Sequence, residues 1–450
     1  MAGETKAIAK FAATLRYHDI PAPVIAMTKA CVIDAVAVAL FGSSLPWSAS
    51  VEDFARHVGS GGSSTILSPQ MQRAGAPAAA LANGTFAHAF EFDNLRQPSV
   101  GVHPGSTATV AALAVAEEFG VAGREFLTAL VAGNECMLRT GLAAKQTSEL
   151  MGFHAPGQTG VFGSAIAASR IMKHDPQHTA MAIGIGGSLC SGLLAFAKAG
   201  NGGMVKRLHM GRAAEGGVMA AYLAARGFEG PDVVLEGKFG YLDVYARDGD
   251  PTLLTDGLGT RWESLNICFK MFPCHVTAQA PVRAIRELQR EHGFSAGDVT
   301  KIVIAASEKV LSHHAERAPH DVGTAQYSVP FSVALSLFRD PADPRAFLDG
   351  PQQDPAILDL CRRIELRRYE GTMAVGHNAS CRIEVFLADG RTVAAASSDF
   401  GDDGNESLDA RIEQKFLNLS AGLSQEQRQT LLGRLKSIEQ QGNMAQLFAL

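Results

Sequence analysis

The sequence predicts a mainly α protein, with a large all-α domain and a smaller α+β domain inserted before the last helices. The first half is rich in Ala, Gly, Leu and Val, and its apolar residues recur at helical spacing. After about residue 265, runs of β-branched residues begin, and helical spacing returns after residue 400. The first half shows no strand–helix alternation, which argues against a doubly wound sheet.

Seven segments of the first half have the spacing of helices, and several are apolar on nearly all sides. Such helices are buried on most faces, and their small residues allow close approach between neighbours. The glycine-rich residues 184–187 lie inside a helical run, so we expect them to serve helix packing rather than nucleotide binding. The predicted helices are 21–41, 76–92, 105–119, 125–144, 158–172, 177–199 and 212–226.

The region after residue 265 combines predicted strands with predicted helices. The strands are 301–306, 364–368, 381–387 and 392–396, with a hairpin turn at 388–391. The helices are 276–290, 328–338, 406–417, 425–437 and 444–450. We therefore expect a large helical domain over 1–265, completed by 401–450, and an α+β domain over 266–400.

Composition excludes several classes of protein. Of the 450 residues, 46% are hydrophobic and 19% charged, which is typical of a folded chain and not of a disordered one. The net charge is −5 and no basic cluster exceeds a pair, so we expect no nucleic-acid partner. The apolar stretch 31–41 is too short to span a bilayer, and no secretory signal is visible. Seven cysteines without a C-x-x-C pair favour a reduced, cytoplasmic location.

Several familiar catalytic and metal-binding motifs do not occur in the sequence. There is no G-x-S-x-G, no Walker loop and no H-E-x-x-H. The adjacent His313 and His314 would point to different faces of a helix and make a poor chelate. We therefore expect neither a metal ion nor an organic cofactor.

Two histidines stand directly before predicted helix starts. His103 precedes Pro104-Gly105, and His154 precedes Ala155-Pro156, so proline stands near the first helical position in both. A helix N-terminus attracts carboxylates, and a histidine beside a bound carboxylate can take the proton α to it. The alternative, that each histidine only caps its helix, is equally consistent with the pattern.

Three charged residues have both a functional and a structural interpretation. Asp93 would close helix 76–92, where it could orient a histidine, protonate a leaving group or simply form a turn. Lys206 follows a glycine-rich loop and could bind a carboxylate or lie on a solvated turn. Lys270 lies in the apolar run 268–275, where a buried ammonium needs a partner or a substrate. For His275, spacing alone favours a core or capping role.

The motifs 83–93, 103–105, 152–154, 206–211 and 269–275 resemble the MmgE/PrpD family in order and spacing, over nearly the whole chain. The family includes 2-methylcitrate dehydratase, cis-aconitate decarboxylase and iminodisuccinate epimerase. The resemblance implies a large all-α domain, a smaller α+β lid domain, a homodimer, and no metal or organic cofactor.

The resemblance also implies a set of active-site residues and roles. His103 or His154 would carry the proton, Asp93 would orient a histidine or act as an acid, and lysines would hold carboxylates. The implied catalytic residues are Asp93, His103, His154, Lys206 and Lys270, and the implied substrate-binding residues are His275 and Tyr327. Arg96 lies in the loop after Asp93, a segment that differs from that of the dehydratases. There it could add a carboxylate contact and so bind substrate, or simply be solvated.

The resemblance implies a cofactor-independent lyase that dehydrates or decarboxylates a small di- or tricarboxylate. These reactions build negative charge beside a carboxylate, so they need cations and N–H groups placed in advance. Segment 93–103 differs from that of the dehydratases, which argues against 2-methylcitrate as the substrate. The alternatives are an epimerase that abstracts an α-proton and a helical binding protein without catalytic activity.

Overall fold

The structure, a computed structural model, describes residues 3–98, 100–145, 147–197, 203–370, 380–397 and 407–450. It is mainly α with small sheets, as the sequence predicts. The chain divides into two compact units. The helical unit comprises Met1–Ala89, Asp93–Ile267 and Ser407–Leu450, and the mixed unit comprises Phe90–Phe92 and Cys268–Glu406.

The elements are numbered in chain order. The α-helices are α1 Glu4–Thr14, α2 Ala22–Ser43, α3 Ala49–Val58, α4 Ala76–Ala87, α5 Val110–Phe119, α6 Gly123–Ala144, α7 Thr147–Leu150, α8 Ala155–Ile171, α9 Pro176–Gly187, α10 Val205–Ala224, α11 Tyr241–Tyr245, α12 Val276–His292, α13 Glu308–His313, α14 Val322–Tyr327, α15 Val329–Ser336, α16 Arg345–Leu348, α17 Pro355–Arg362, α18 Leu408–Leu419 and α19 Gln425–Lys436. The strands are β1 Ser64–Thr65, β2 Arg73–Ala74, β3 Leu95–Arg96, β4 Ile267–Cys268, β5 Val299–Ala306, β6 Ile364–Arg368, β7 Cys381–Leu387 and β8 Thr392–Ser397.

The core of the helical unit forms where α10 packs on α4, α8 and α9, and where α8 packs on α6. Almost every residue of α4, α6 and α8 is buried, which explains why these helices are apolar on most sides. Loops and helix ends around this core carry the candidate site.

Glycines let the helices approach as closely as the sequence predicts. A Cβ atom on Gly211 of α10 would lie 2.2 Å from the carbonyl oxygen of Leu81 in α4. A Cβ atom on Gly184 of α9 would lie 2.5 Å from the carbonyl oxygen of Pro231. Residues 184–187 were expected to serve helix packing, and at Gly184 the close contact is instead with the non-helical backbone of Pro231.

Several predicted helices end or begin elsewhere. The helix predicted over 76–92 ends at Ala87, so Asp93 does not close it, and the chain beyond the helix has a positive φ of +53° at Glu91. The helix predicted over 177–199 ends at Gly187, and the chain turns again at Gly192 with φ +117°; residues 198–199 lie outside the described residues. The predicted helix 444–450 is only a short 3-10 turn, Met444–Gln446.

Helix α10 begins at Val205 rather than at residue 212, so Lys206 lies in its first turn and not in a loop. The predicted helix 406–417 is found as α18, except that Glu406 lies outside the described residues. Within the described residues, α2 is long and apolar enough to cross a membrane, contrary to the length argument from residues 31–41. Because 72% of its most apolar window is buried inside the protein, α2 has the environment of a core helix.

The mixed unit contains a four-stranded sheet in the order β6-β5-β7-β8. Strands β5 and β6 are parallel, whereas β7 is antiparallel to both β5 and β8. Helix α12 packs against β7, β8 and α15. All four predicted strands and the hairpin between β7 and β8 are confirmed.

Replacing Gly211 by Ala tests the close helix contact. The new Cβ would meet backbone in α4, so we expect Gly211→Ala to lower the free energy of unfolding by about 1–3 kcal/mol. Gly433→Ala in α19 is the matched control, since nothing lies within 4 Å of its Cβ position and alanine favours a helix. Urea unfolding followed by circular dichroism measures both; equal stabilities would contradict the close contact.

Candidate active site

The carboxylate of Asp93 lies at the centre of a buried hydrogen-bond cluster in the helical unit. Its Oδ2 atom lies 2.8 Å from Nδ1 of His88, 2.9 Å from Nδ1 of His103 and 2.7 Å from Oγ of Ser106. His88 directly follows α4, and Ser106 lies in a single π-helical turn, Gly105–Thr109, that begins two residues after His103. Such π turns occur frequently at functional sites.

The charge of Asp93 determines where the protons of its partners lie. Burial opposes ionisation, but the interactions with His88 and His103 outweigh it and hold the pKa of Asp93 well below its usual value. An ionised carboxylate can only accept hydrogen bonds, so both imidazoles donate from Nδ1. Burial also lowers the pKa of His88, which keeps that ring neutral. The Nε2 atom of the neutral His88 ring then carries the lone pair.

His103 is the partner of Asp93 that reaches toward solvent. Its side chain is 13% exposed, compared with 1% for His88 and 0% for Asp93. The His103 ring packs edge-on against that of His88, with the ring centroids 5.1 Å apart. The cluster therefore presents one oriented imidazole to a bound molecule and encloses the groups that orient it.

A second imidazole pair lies in the same unit. Nδ1 of His154 lies 3.1 Å from Nδ1 of His209, so one ring donates a hydrogen bond and the other accepts it. Burial, followed by the nearby His209 and His103, lowers the pKa of His154 to about 3. Burial and the charge of Lys206 lower the pKa of His209. Both rings are therefore neutral near pH 7.

The capping alternative for the two histidines is wrong for their side chains. His154 is the N-cap residue of α8, but within the described residues its ring makes no capping bond to that helix and pairs with His209 instead. The ring of His103 binds Asp93. The sequence pattern therefore located both imidazoles correctly, while their partners depend on tertiary structure.

Two cations predicted to bind substrate lie in the helical unit. Lys206, in the first turn of α10, is half-buried, and its charge acts on both His88 and His209. Arg96 is buried, with Nη2 2.7 Å from Oε2 of Glu263 and Nη1 2.7 Å from the carbonyl oxygen of Pro98. The ion pair with Glu263 uses part of the hydrogen-bonding capacity of the Arg96 guanidinium. The substrate-binding roles of Lys206 and Arg96 stay predictions.

The mixed unit holds a separate group of charged residues around Glu91. Nζ of Lys270 lies 3.0 Å from Oε2 of Glu91, and Oη of Tyr327 donates to Oε1 at 3.3 Å. Both Lys270 and Glu91 are buried. The Lys270 ammonium therefore has a carboxylate partner within the protein, as its burial requires. The positive φ of Glu91 is a strained conformation for this residue, and such strain persists where surrounding contacts impose it.

His275 lies in an aromatic stack of the mixed unit. Its ring centroid lies 4.1 Å from that of His314 and 4.9 Å from that of Tyr327. Its side chain also accepts a hydrogen bond from the backbone N–H of Thr277 and so caps α12, as the spacing favoured. The binding roles of His275 and Tyr327 stay predictions.

One group among the described residues has the donor atoms of a metal site. The ligand-type atoms of His88, Asp93 and His103 lie within 4.8 Å of one another. Two imidazoles and a carboxylate suit a transition metal. These atoms already bind one another at hydrogen-bond distance, so a metal ion would have to replace those bonds. The expectation of a metal-free site stays a prediction.

Sequence reasoning missed several members of these clusters. His88 lies inside the motif 83–93 and could have been singled out there. Glu91, in the same motif, has the same functional and structural interpretations as Asp93 but a weaker case, so it was left out of the predicted site. The missed residues are His88, Ser106, His209, Glu263 and His314, and most of their partners are distant in the chain.

In the helical unit a buried carboxylate orients an imidazole, an arrangement that can assist proton transfer. The chain belongs to the MmgE/PrpD family: residues 6–254 match its N-terminal domain and residues 272–437 its C-terminal domain. It is similar to a cis-aconitate decarboxylase-like protein of Aspergillus oryzae, with 27% identity over 99% of this chain and 96% of that protein. It is also similar to the cis-aconitate decarboxylases of Aspergillus terreus (26% identity, 95% of this chain and 91% of that one) and Homo sapiens (26%, 92% and 88%).

The low pKa of His154 predicts a pH-dependent stability. The folded protein holds this ring neutral down to a pKa of about 3, whereas the unfolded chain protonates it near pH 6.5, so stability falls as the pH falls. Between pH 7 and pH 5 protonation of this group should lower the free energy of unfolding by about 2 kcal/mol. Urea unfolding at both pH values should show a smaller loss for His154→Gln than for the wild type. His57→Gln, an exposed histidine of α3, should keep the wild-type loss. Equal losses in all three proteins would refute the neutral buried ring.

The Lys270–Glu91 pair predicts an asymmetric response to substitution. Lys270→Met removes the cation beside a buried carboxylate, so we expect the free energy of unfolding to fall by about 3–5 kcal/mol. Lys270→Met combined with Glu91→Gln removes both charges and should recover most of that loss. Lys301→Met breaks the more exposed pair with Glu365 and should cost less than about 1 kcal/mol. Chemical unfolding of the four proteins measures this, and no recovery in the double variant would contradict the pairing.

Proposed function

We propose that the protein is a lyase that removes CO2 or water from a small tricarboxylate. The observation that carries this proposal is the Asp93 cluster, in which a buried carboxylate orients the partly exposed His103 imidazole. The family membership and the relatives named as cis-aconitate decarboxylases support a tricarboxylate lyase. Those names favour decarboxylation as the reaction.

The chemistry requires a group that exchanges a proton with a carbon atom next to a carboxylate. In decarboxylation the bond to the departing carboxylate breaks, its electron pair stays on the substrate carbon, and a proton is added to the conjugated system. In dehydration a base first removes the proton, and hydroxide then leaves as water. A single positioned imidazole serves either reaction, as an acid in the first and as a base in the second.

His103 is the residue to which we assign this proton exchange. Asp93 holds the His103 Nδ1–H, so the Nε2 atom is the one that exchanges protons with substrate or solvent. Any positive charge that develops on the imidazole is stabilised by the Asp93 carboxylate. Lys206 would hold a substrate carboxylate. From that position its positive charge would also stabilise the negative charge of the carbanion.

The remaining roles come from the family resemblance. His154 is the alternative to His103 for the proton exchange, Lys270 would hold a carboxylate, and His275 and Tyr327 would bind substrate, with no metal ion or organic cofactor. Arg96 would add a carboxylate contact, a role that rests on its place in the loop after Asp93 and not on the resemblance. A homodimer and a cytoplasmic location are part of the same proposal. An epimerase would use the same proton abstraction without a leaving group, and the experiment below distinguishes it.

Proton NMR in D2O with a panel of carboxylic acids tests the proposal. The panel holds cis-aconitate, citrate, 2-methylcitrate, malate and iminodisuccinate. We expect loss of CO2 or water from a tricarboxylate, seen as new vinyl signals or as deuterium in the product. Deuterium exchange at an α-carbon without net conversion would establish the epimerase instead. A folded protein that changes none of the acids would contradict the proposed lyase and favour a binding protein.

A variant of His103 tests which residue exchanges the proton. We expect His103→Gln to lower kcat by about 10²–10⁴-fold, the contribution typical of a general acid or base. His57→Gln removes an exposed histidine of α3 and should leave kcat unchanged. Circular dichroism confirms the fold of both variants, and wild-type turnover in His103→Gln would remove His103 from this role.

A further inference from the structure

A second buried polar group adjoins the Asp93 cluster within the helical unit. Nζ of Lys415, in α18, lies 2.6 Å from Oδ1 of Asp34, in α2. The other Asp34 oxygen, Oδ2, accepts a hydrogen bond of 2.8 Å from the amide nitrogen of Asn94. All three side chains are buried, with exposures of 6% for Lys415, 1% for Asp34 and 0% for Asn94.

Asn94 connects this group to the candidate active site. It directly follows Asp93 in the chain, and its Oδ1 atom accepts a 2.8 Å hydrogen bond from the backbone N–H of Gly105. Gly105 begins the π-helical turn that follows His103 and Pro104 and that also contains Ser106. One side-chain amide therefore joins the backbone beside Asp93 to the backbone just after His103.

The contact between Asn94 and Gly105 leaves no room for a larger residue. A Cβ atom on Gly105 would lie 2.5 Å from Nδ2 of Asn94. The thiol of Cys31 also lies 3.4 Å from Oδ1 of Asn94. The Asn94 amide is thus held at Nδ2 by Asp34 and at Oδ1 by the backbone N–H of Gly105.

The charges of Asp34 and Lys415 determine which way this amide faces. A carboxylate can only accept hydrogen bonds, so an ionised Asp34 requires the NH2 group of Asn94 on its side. The amide oxygen must then face Gly105, whose N–H needs an acceptor. Burial raises the pKa of Asp34 above its usual value even beside Lys415, whose charge opposes that rise. Without Lys415 the protonated form of Asp34 would be favoured further. A protonated Asp34 can donate a hydrogen bond, so it would no longer impose the orientation of the Asn94 amide.

We propose that Asp34, Asn94 and Lys415 are positioning residues that set the geometry of Asp93 and of the turn after His103. Their effect on turnover rests on the proposed function, whereas their effect on the imidazole geometry does not. A buried ion pair is weak evidence for stability, because apolar side chains of similar size often serve as well. Orientation of the neighbouring cluster is a role that apolar side chains could not fill.

The test compares Lys415→Met, Lys415→Arg and a control in one set of measurements. The control is Arg73→Met, which removes the cation beside another buried carboxylate of the helical unit, Glu117. The first readout is the NMR spectrum of protein labelled with ¹⁵N in its histidine rings, which reports the tautomer of His103. The second readout is kcat and KM for the tricarboxylate that the wild type converts in the NMR panel described above.

We expect the wild type, Lys415→Arg and Arg73→Met to show the Nδ1–H tautomer of His103, and Lys415→Met to show a mixture. In Lys415→Met, kcat should fall about tenfold to a hundredfold, with KM changed by less than about threefold. Lys415→Arg keeps the cation and should recover most of kcat. Unchanged His103 signals in Lys415→Met, or equal losses of kcat in Lys415→Met and Arg73→Met, would overturn the proposal.

A second variant covers the case in which Lys415→Met does not fold. Asn94→Ser keeps the Asp34–Lys415 pair but shortens the connection to Gly105, and it should produce the same mixture of tautomers. A single Nδ1–H tautomer in Asn94→Ser would overturn the proposal. If the wild type converts no tricarboxylate, the proposed function fails, and the histidine spectra still decide whether these residues position the cluster.

Discussion

The burial of one ionised carboxylate, that of Asp93, constrains much of the helical unit around it. A charge removed from water is tolerated only when several donors surround it, and here two imidazoles and one hydroxyl bind the same oxygen atom. These donors come from the residue after α4, from the loop before the π-helical turn and from that turn itself. Helix α4 ends at Ala87, which places His88 beside Asp93.

The neutral state of the surrounding histidines follows from the same burial. Enclosure of His88, His154 and His209 lowers the pKa of each ring, and Lys206 further disfavours protonation of His88 and His209. A substrate with several carboxylates would bring negative charge to a region in which Lys206 is positive and these rings are uncharged. Lys206 therefore supplies positive charge beside rings that are themselves neutral.

Local patterns were sufficient for most of the fold and for part of the site. The helices of the core and the four strands of the mixed unit follow from periodicity, which depends only on neighbouring residues. His103 and His154 were identifiable because a proline follows each at or near a helix start. Asp93 was singled out as the residue that closes helix 76–92, although that helix ends at Ala87. The end of α4 was predicted five residues too late, since Phe90 and Phe92 continue the apolar pattern while the chain already turns. The pairing of Lys270 with Glu91 joins residues 179 positions apart, and no local pattern could predict it.

The contact between Asp34 and Lys415 has a consequence for the order in which the protein is made. The two residues are 381 positions apart, and the whole mixed unit is synthesised between them. Domains generally fold as units, in the order in which the ribosome produces them. A nascent chain that ends before α18 contains the imidazoles and Asp93 but not the ammonium group beside Asp34. The helical unit therefore cannot reach its final arrangement until translation has passed residue 415, and the mixed unit emerges while the helical unit is still incomplete.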